Sequence, residues 1–515
     1  MSDNISYRIN EIRVDLNEDK AIIPDKIRRR TGIRNLEIYS WKIARESIDA
    51  RRKPDVKLVY TVDFLCDRID IEKKSRVKLT RTPVYSYEIP VPIKKPERRP
   101  AIIGSGPCGI FAAYTLAKAG LKPIIIERGS CMEKRIRSVE RFWREGVLDT
   151  ECNVQFGEGG AGTFSDGKLT TGIRDKRTAY VLKTFVRAGA DNDILYKHRP
   201  HIGTDVIRGV IVSLRKNIEN MGGTFLFDTR LSGIKKTRDR VSSIVLNEDK
   251  TIETDHVILA PGHSARDTFR MLCKSGMKMR RKAFSIGVRI EHPQKLIDKA
   301  QYGDAKIAEK IGAADYKLNY RCSDGRGVYT FCMCPGGEVI TASSQKNCVV
   351  TNGMSLHARS SGKANSGLLV DVRISDFASD HPLGGIEFQE KYEQLAFING
   401  GSGYKAPECT LKEFKDTDEK AEKVINSLPP FAVRSIREAI PHLAAKLKGF
   451  DYDYAIIKAV ESRSSSPVRI ERNEFFESPV GGLYPAGEGA GYAGGIISAA
   501  VDGMKVAEAI ISASG

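Results

Sequence analysis

The chain has 515 residues, of which 41% are hydrophobic and 29% are charged. A chain of this length exceeds what one hydrophobic core usually holds, so we expect two or three domains, and this composition excludes a largely disordered protein. The N-terminus lacks the basic-then-apolar pattern of a signal peptide, and the most apolar long stretch, 493–512, carries Asp502, Lys505 and Glu508. These charges make it a poor membrane span, so we expect a cytoplasmic protein without membrane contact.

The formal net charge is +18, and it is densest in residues 1–99, which carry 24 Lys and Arg against 16 Asp and Glu. A basic balance of this kind suits an anionic substrate, a nucleic acid, or solubility alone. The ten cysteines follow no framework spacing. Because no secretory signal precedes them, we expect reduced thiols rather than disulfides.

Residues 1–90 are predicted to form a small α+β domain. Apolar residues alternate through 4–16, 36–44 and 56–65, which indicates strands, and a turn at Pro54 lies before the last of them. Segment 20–30 indicates a short helix that ends near Gly32. The residues at 91–100, rich in proline and charge, predict an extended linker.

A parallel strand–helix–strand unit is predicted directly after the linker. Residues 101–103 form a short apolar run, a glycine-rich turn follows, and a helix is expected over 107–119. Residues 123–126 open the second strand. The whole unit spans about thirty residues, which is the length that a parallel crossover connection requires.

The turn has the spacing Gly104-x-Gly106-x-x-Gly109, followed by Ala113 and, at the end of the second strand, by Glu127. In this pattern the first glycine permits the tight turn, the second lets a pyrophosphate approach the backbone, and the third allows close packing of helix on sheet. The helix N-terminus offers free N–H groups to the phosphates. The Glu127 carboxylate can accept hydrogen bonds from the adenosine ribose hydroxyls. Together these features predict a dinucleotide site.

A second segment, at 254–262, favours FAD over NAD as the dinucleotide. It predicts a buried strand that ends in a small-residue turn containing Pro261 and Gly262. It resembles the corresponding strand of the flavoproteins that have two dinucleotide-binding domains.

A third segment, near the C-terminus, also favours FAD over NAD. Residues 482–486 predict a strand that runs into Gly487 and Glu488, and a helix follows from about Gly494. In the same flavoproteins an acid at this place, usually Asp, bonds a ribityl hydroxyl, and the helix N-terminus faces the flavin. Glu488 stands where Asp is usual, so we expect a displaced contact.

The resemblance extends over nearly the whole chain. The segments that carry it are GEGGAGTFSDGKL (157–169), GHSARD (262–267), GVRIEHPQ (287–294), FCMCPGGEVI (331–340), NGMS (352–355) and SRSSSPVRI (462–470). Together they resemble the family of uncharacterised bacterial FAD-dependent dehydrogenases. The resemblance implies an α/β fold: a Rossmann-type, glutathione-reductase-like FAD-binding domain at 101–270 and 476–515, an inserted α+β substrate domain at 271–475, and the small N-terminal domain. It implies no particular substrate.

The segment at 157–169 is too rich in glycine for a packed element, and related flavoproteins place such a loop over the pyrophosphate and the ring edge. We therefore expect it to contact the cofactor, although a surface loop is the alternative. The predicted residues of the non-covalent FAD site are Gly104, Gly106, Pro107, Gly109, Glu127, Arg128, Gly160, Gly162, Thr163, Ser165, Leu231, Pro261, Gly262, Gly487, Glu488, Gly494, Gly495 and Ile496.

Cys332 and Cys334 follow an apolar run, and on a strand their side chains would point the same way. A thiol near a flavin can act as a redox partner or a nucleophile, so Cys334 is a candidate catalytic residue. The alternative is that both are inert core cysteines. With Cys322 and Cys348 they fit no common zinc or iron–sulfur spacing, so we expect no metal site.

Arg463 is the second candidate catalytic residue. With Ser464, Ser465, Ser466 and Arg469 it forms a cationic, hydroxyl-rich cluster suited to a substrate carboxylate or phosphate, or else a solvated loop. Further candidate ligand-site groups, which could equally be structural ion pairs or buried polar groups, are His263, Arg266, Asp267, Arg289, Glu291 and His292.

The leading hypothesis for function is an FAD-dependent oxidoreductase, a dehydrogenase or reductase, acting on an unidentified anionic substrate. The sequence holds no second glycine fingerprint in a strand–helix–strand context, so NAD(P)H is expected at most as a transient co-substrate. An RNA-modifying or RNA-binding flavoprotein is an alternative that rests only on the basic N-terminal domain. A non-catalytic FAD-binding protein is the third.

Overall fold

The computed structural model describes residues 4–67, 71–84 and 86–513. Its strands, in chain order, are β1 (Ile5–Asp15), β2 (Ser40–Asp49), β3 (Lys57–Cys66), β4 (Thr80–Arg81), β5 (Ala101–Ile103), β6 (Ile124–Ile126), β7 (Thr224–Leu226), β8 (Leu231–Thr237), β9 (Arg240–Leu246), β10 (Lys250–Glu253), β11 (Val257–Leu259), β12 (Met279–Arg281), β13 (Phe284–Pro293), β14 (Asn319–Arg321), β15 (Gly327–Pro335), β16 (Glu338–Thr341), β17 (Thr351–Met354), β18 (Lys363–Val372), β19 (Glu408–Thr410), β20 (Ile456–Glu461), β21 (Val468–Ile470) and β22 (Leu483–Pro485). Its α-helices are α1 (Ile23–Thr31), α2 (Ile71–Lys74), α3 (Pro107–Lys118), α4 (Met132–Glu145), α5 (Arg177–Arg187), α6 (Thr204–Asn220), α7 (Arg266–Lys274), α8 (Gln294–Tyr302), α9 (Ala308–Ile311), α10 (Gly384–Asn399), α11 (Leu411–Asp416), α12 (Glu422–Ile425), α13 (Pro430–Lys446) and α14 (Ile496–Ala513).

The N-terminal domain is an antiparallel sheet in the order β2-β3-β1-β4, with α1 packed against it. The loose alternation at 4–16 belongs to one strand, β1, whose register shifts between Ile9 and Ile12. The strand expected at 36–44 begins only at Ser40, because Leu36 is buried in the core from the preceding connection rather than from the sheet. Gly32 ends α1 at φ 76°, a conformation that glycine adopts without strain.

The predicted strand–helix–strand unit is present as β5, α3 and β6. Its strands belong to a five-stranded parallel sheet in the order β22-β11-β5-β6-β7. The remote segments near 258 and 484 therefore lie beside the glycine fingerprint, since Ile258 pairs with both Ile102 and Tyr484. The carboxyl ends of parallel strands meet at one edge, and in open α/β sheets that edge holds the ligand.

A second, six-stranded antiparallel sheet has the order β14-β15-β18-β13-β20-β19. Its apolar residues form one core with helices α10 and α13. All of its strands come from the predicted insert, 271–475. β12 and β21 pair with each other and belong to neither large sheet, so the strand pairing does not assign them to one domain. The exact domain boundaries therefore remain a prediction.

The C-terminal helix α14 packs directly on α3. A Cβ on Gly503 would lie 2.1 Å from the carbonyl oxygen of Cys108, so only glycine permits this approach. α14 thus fixes the C-terminal segment against the helix that follows the glycine fingerprint. Within the described residues, no helix has the length and apolar character needed to cross a membrane.

Candidate active site

A cavity of about 290 Å³ opens at the carboxyl edge of the parallel sheet. Its walls come from the loops after β5, β6, β11 and β22, from the glycine-rich segment at 157–169, and from β15, β17 and β20 of the second sheet. The predicted site residues that it brings together are Gly104, Gly106, Pro107, Glu127, Arg128, Gly160, Gly162, Ser165, Leu231, Pro261, Gly262, Arg463, Gly487, Glu488, Gly495 and Ile496. Gly109, Thr163, Cys334 and Gly494 do not line it.

The three glycines of the fingerprint have different surroundings. A Cβ on Gly104 would lie 2.3 Å from the carbonyl oxygen of Ala260, and φ there is 99°. A Cβ on Gly109 would lie 1.9 Å from the carbonyl oxygen of Gly104, so this glycine allows α3 to approach the turn. A Cβ on Gly106 would meet only the Cα of Gly160, at 3.9 Å, and would otherwise point into open space. This is the space that a pyrophosphate needs.

Glu127 ends β6 as predicted, and its buried carboxylate is held by protein donors. One oxygen accepts hydrogen bonds from the backbone N–H (2.9 Å) and the hydroxyl (2.8 Å) of Ser105. The other accepts from the N–H groups of Gly129 and Gly157, both at 2.9 Å. The carboxylate thus ties the fingerprint turn to the glycine-rich segment. Its predicted bond to the ribose would share oxygens that already accept two hydrogen bonds each.

Arg128 lies at the same end of the cavity and is fixed in place. It pairs with Glu151 and Asp267 and lies over the ring of Phe156, with its guanidinium carbon 4.2 Å from the ring centroid. Leu231, at the start of β8, also lines this end. These groups form a preorganised wall for the adenosine side.

The glycine-rich segment is shaped by Arg135, a residue that sequence reasoning missed. Its fully buried guanidinium donates to the carbonyl oxygens of Gly157 (3.3 Å), Glu158 (2.6 Å) and Gly160 (3.0 Å), and to the hydroxyl of Thr163 (2.7 Å). The Thr163 hydroxyl in turn donates to Gly160. The Thr163 hydroxyl is therefore used within the loop, and Thr163 does not line the cavity, so a direct contact with the cofactor has no support here. Arg135 lies on the buried face of the amphipathic helix α4, and this position in the sequence could have indicated a structural role for it.

The C-terminal segment closes the other end. Gly487 has φ 73°, and its N–H donates to Asp502 at 2.7 Å. The Glu488 carboxylate lies 3.5 Å from Nδ1 of His263, and both side chains line the cavity. Nε2 of His263 is buried and has no partner within the described residues, so it is a polar atom available to a ligand. Gly494 lies outside the lining because the helix starts later, at Ile496.

Cys332, rather than Cys334, lines the cavity, so the predicted catalytic thiol of Cys334 does not itself face the cavity. The reason is a register shift between Phe331 and Cys334 that interrupts β15. Cys332 has φ 41°, outside the extended range, and is partly exposed, whereas Cys334 is fully buried behind it.

Arg463 lines the cavity but is not free to bind a substrate anion. Its five N–H bonds reach Glu393 twice (3.1 and 2.8 Å), Ser264 (3.0 Å), Ser344 (2.6 Å) and Gln345 (3.2 Å). A guanidinium has five N–H donors, so none is left over. The predicted role of Arg463 as a substrate-binding catalytic residue is therefore corrected to that of a positioning residue.

The other proposed ligand-site groups are mostly structural. Arg289 pairs with Glu461 at 2.7 Å, Arg266 pairs with Glu393 at 2.7 Å, and Asp267 pairs with Arg128 at 2.8 Å. The rest, apart from His263, are also engaged: the His292 ring bonds the carbonyl of Phe450, and Glu291 pairs with Lys363. Buried ion pairs and ligand groups use the same residue types, so sequence alone could not separate them.

A cation that sequence reasoning did not single out faces the cavity. Lys168 and Asp166 both line it, and their charged groups are 3.8 Å apart. Asp166 is fully buried and is bound more closely by Arg359, at 2.7 Å, and by the hydroxyl of Ser355. Arg359 therefore compensates the charge of Asp166 and leaves that of Lys168 directed to the cavity.

The residues of the cavity fit FAD. The open space beside Gly106 and the Nε2 of His263, which is unsatisfied within the described residues, belong to one cavity.

Comparison with known families agrees with this site. Residues 99–299 match an FAD binding domain, and residues 283–464 match the family described as FAD-dependent protein, C-terminal domain-like. Residues 6–65 match a domain of unknown function. FAD is the cofactor, and the chain is an FAD-dependent flavoprotein of oxidoreductase type.

Solved structures with related folds are distant. A geranylgeranyl bacteriochlorophyll reductase-like protein from Thermoplasma acidophilum is 14% identical with a TM-score of 0.37, covering 80% of this chain and 77% of its own. A glycine oxidase from Bacillus cereus is 11% identical with a TM-score of 0.32, covering 81% and 95%. Similarities at this level carry no argument about activity.

One relative is much nearer in sequence. An uncharacterised protein from Clostridium beijerinckii is 45% identical over 533 aligned positions, which cover 98% of this chain and 99% of the relative. An identity of this size over both whole chains establishes common membership. The chain belongs to the family of uncharacterised FAD-dependent proteins.

Proposed function

We propose that the protein is an FAD-dependent oxidoreductase whose substrate is a small anionic molecule, bound where the second sheet closes the cavity. The observation that carries the proposal is the position of Lys168. Lys168 lines the cavity together with Phe331 and Cys332, while Asp166, the carboxylate 3.8 Å from its ammonium group, is compensated by Arg359.

A second source of positive potential lies behind Ser264. Arg266, Arg270 and Arg463 form ion pairs with only two carboxylates, Glu390 and Glu393. Three cations against two anions leave a local excess of one positive charge. Its field in a poorly solvated cavity favours an anion without requiring a direct hydrogen bond from Arg463.

Bound FAD supplies a two-electron acceptor or donor, and the protein supplies binding and orientation. Lys168 would hold the acid group of the substrate, and the Phe331 ring would cover its apolar part and exclude water. Glu488 orients His263, whose ring could hold or pass a proton at the same end of the cavity. Holding the substrate in one orientation beside the flavin replaces a bimolecular collision with a reaction inside the bound complex.

The test is a titration of the oxidised flavoprotein with a panel of hydroxycarboxylates, amino acids and phosphomonoesters, each beside its neutral amide or ester, followed by the flavin absorbance. We expect only anions to perturb the spectrum. Lys168→Met should raise their dissociation constants about ten-fold or more, which corresponds to about 1.4 kcal/mol. Lys250→Met, at an exposed lysine of β10, is the matched control. Equal binding of neutral and anionic members, or no effect of Lys168→Met, would overturn the proposal.

A further inference from the structure

We propose that Cys332 and Cys334 form a reversible dithiol–disulfide pair that exchanges two electrons with the bound FAD. The inference depends on FAD, which the family establishes, and not on the anionic substrate proposed above. It assigns a redox function to two residues of the second sheet, so that both the flavin and the cysteine pair would be able to hold two electrons.

The first support is position. Cys332 lines the same cavity as the flavin-facing segment Gly487–Gly489, and Cys334 lies directly behind it, two residues along β15. In a regular strand, residues two apart are about 6.6 Å apart at Cα, which is near the upper limit for a disulfide. The register shift after Phe331 and the φ of 41° at Cys332 interrupt the extended run. The Cys334 thiol reaches the backbone carbonyl oxygen of Cys332 at 3.3 Å, so the two cysteines are in direct contact.

The second support is that the surrounding residues fix this geometry. The buried Arg289 donates to the carbonyl oxygen of Cys332 at 2.9 Å while its other nitrogens pair with Glu461. The Cys334 thiol donates to the same carbonyl at 3.3 Å. A Cβ on Gly353 would lie 2.8 Å from Sγ of Cys334, so the glycine of β17 opens the space that this thiol occupies.

The third support is electrostatic. The neighbouring Cys334 thiol and the positive charges of Lys168 and Arg289 hold the pKa of Cys332 well below that of an ordinary thiol. The neighbouring Cys332 sulfur and burial raise the pKa of Cys334. One thiolate beside one thiol is the arrangement in which the exposed sulfur is the nucleophile and the buried one resolves it.

The step balances as follows. The Cys332 thiolate and the Cys334 thiol together give up two electrons and one proton as the S–S bond forms. Bound FAD would supply the two-electron acceptor for this step, and the proton released from Cys334 would pass to it, so that electrons, protons and charge balance. In the reverse direction the disulfide takes two electrons and one proton and returns to thiolate and thiol.

The test uses the purified holoprotein, oxidised in air and then titrated with dithionite without oxygen. The wild type should consume about four electrons per FAD, two for the flavin and two for the disulfide. Cys332→Ser and Cys334→Ser should each consume about two, and Cys273→Ser, at a partly exposed cysteine of α7, should behave as the wild type.

A second readout does not depend on the flavin signal. The oxidised wild-type protein is denatured, alkylated and analysed by peptide mass spectrometry, with and without prior reduction. Both cysteines should escape alkylation until the protein is reduced. A wild type that consumes only two electrons per FAD, or whose two thiols are alkylated before reduction, would overturn the proposal. Neither result bears on whether the substrate is anionic, so the two proposals fail separately.

Discussion

Gly106 and Gly160 lie against each other across the fingerprint turn. A Cβ on Gly160 would lie 2.9 Å from the Cα of Gly106, whereas a Cβ on Gly106 would have 3.9 Å of clearance from Gly160. The two glycines thus bring the glycine-rich segment over the start of α3. The space beside Gly106 that no protein atom fills is where we expect the pyrophosphate of the cofactor to bind.

Gly106→Ala should weaken FAD binding without weakening the fold. The added methyl group meets no protein atom nearer than 3.9 Å, but it enters the space that the pyrophosphate needs. We expect the FAD dissociation constant to rise at least about ten-fold, with the melting temperature of the FAD-free protein unchanged.

The control for Gly106→Ala is Gly109→Ala, whose Cβ would lie 1.9 Å from a backbone oxygen. That variant should lower the melting temperature of the FAD-free protein. If Gly106→Ala retained FAD as tightly as the wild type, or if both variants unfolded alike, the assignment of the cradle would be wrong.

Glu393→Gln tests the reassignment of Arg463 as a positioning residue. The Glu393 carboxylate is fully buried between Arg266 and Arg463, which hold its pKa well below that of an ordinary glutamate. Its loss leaves two buried cations without their counter-ion, at a cost of about 3–5 kcal/mol in the free energy of unfolding. Urea unfolding at neutral pH measures this, with Glu387→Gln on the exposed face of α10 as the control. A stability loss no greater than that of the control would contradict the network.

The FAD-binding part of the fold could be predicted from the sequence, whereas the contacts of the side chains at the other end of the cavity could not. The fingerprint at Gly104, Gly106 and Gly109 is local, because each glycine is required by backbone geometry within a few residues. The strands that became β11 and β22 were predicted from their resemblance to those of other flavoproteins, and their pairing beside β5 is a finding of the structure.

The roles of Arg463 and Cys334 depended on contacts distant in sequence. Glu393, 70 residues away, accepts hydrogen bonds from Arg463, and a register shift in β15 places Cys332 at the cavity and Cys334 behind it, where both were expected to point the same way. The spacing of residues in a sequence shows neither which distant residue a side chain will pair with nor where a strand will contain a bulge. Lys168 was overlooked for the same reason, since only the Arg359–Asp166 pair makes its charge available.

His292 should make the protein less stable as the pH falls below neutral. Burial lowers its pKa to about 4 from about 6.5 in the unfolded chain, so the unfolded state binds the proton first. Stability is therefore fully present above about pH 6.5 and is lost between there and about pH 4. For this group the loss amounts to about 2 kcal/mol between pH 7 and pH 5.

The measurement is the free energy of unfolding of wild type and His292→Gln at pH 7 and pH 5. The variant should lose about 2 kcal/mol less than the wild type over this interval. His381→Gln, at an exposed histidine before α10, should follow the wild type. An identical loss in wild type and His292→Gln would mean that this ring is protonated as readily in the folded state as in the unfolded one.

The central claim is that FAD at this cavity exchanges electrons with a small anionic substrate rather than with a nicotinamide held in its own domain. Anaerobic stopped flow tests it most directly, by following flavin bleaching with NADH, with NADPH and with the panel of anionic metabolites. We expect at least one anionic metabolite to bleach the flavin rapidly and saturably, and the nicotinamides to do so slowly and with weak saturation, since the sequence carries a single dinucleotide fingerprint. Rapid, saturable bleaching by NADPH at micromolar concentration, or bleaching by dithionite alone, would contradict the claim.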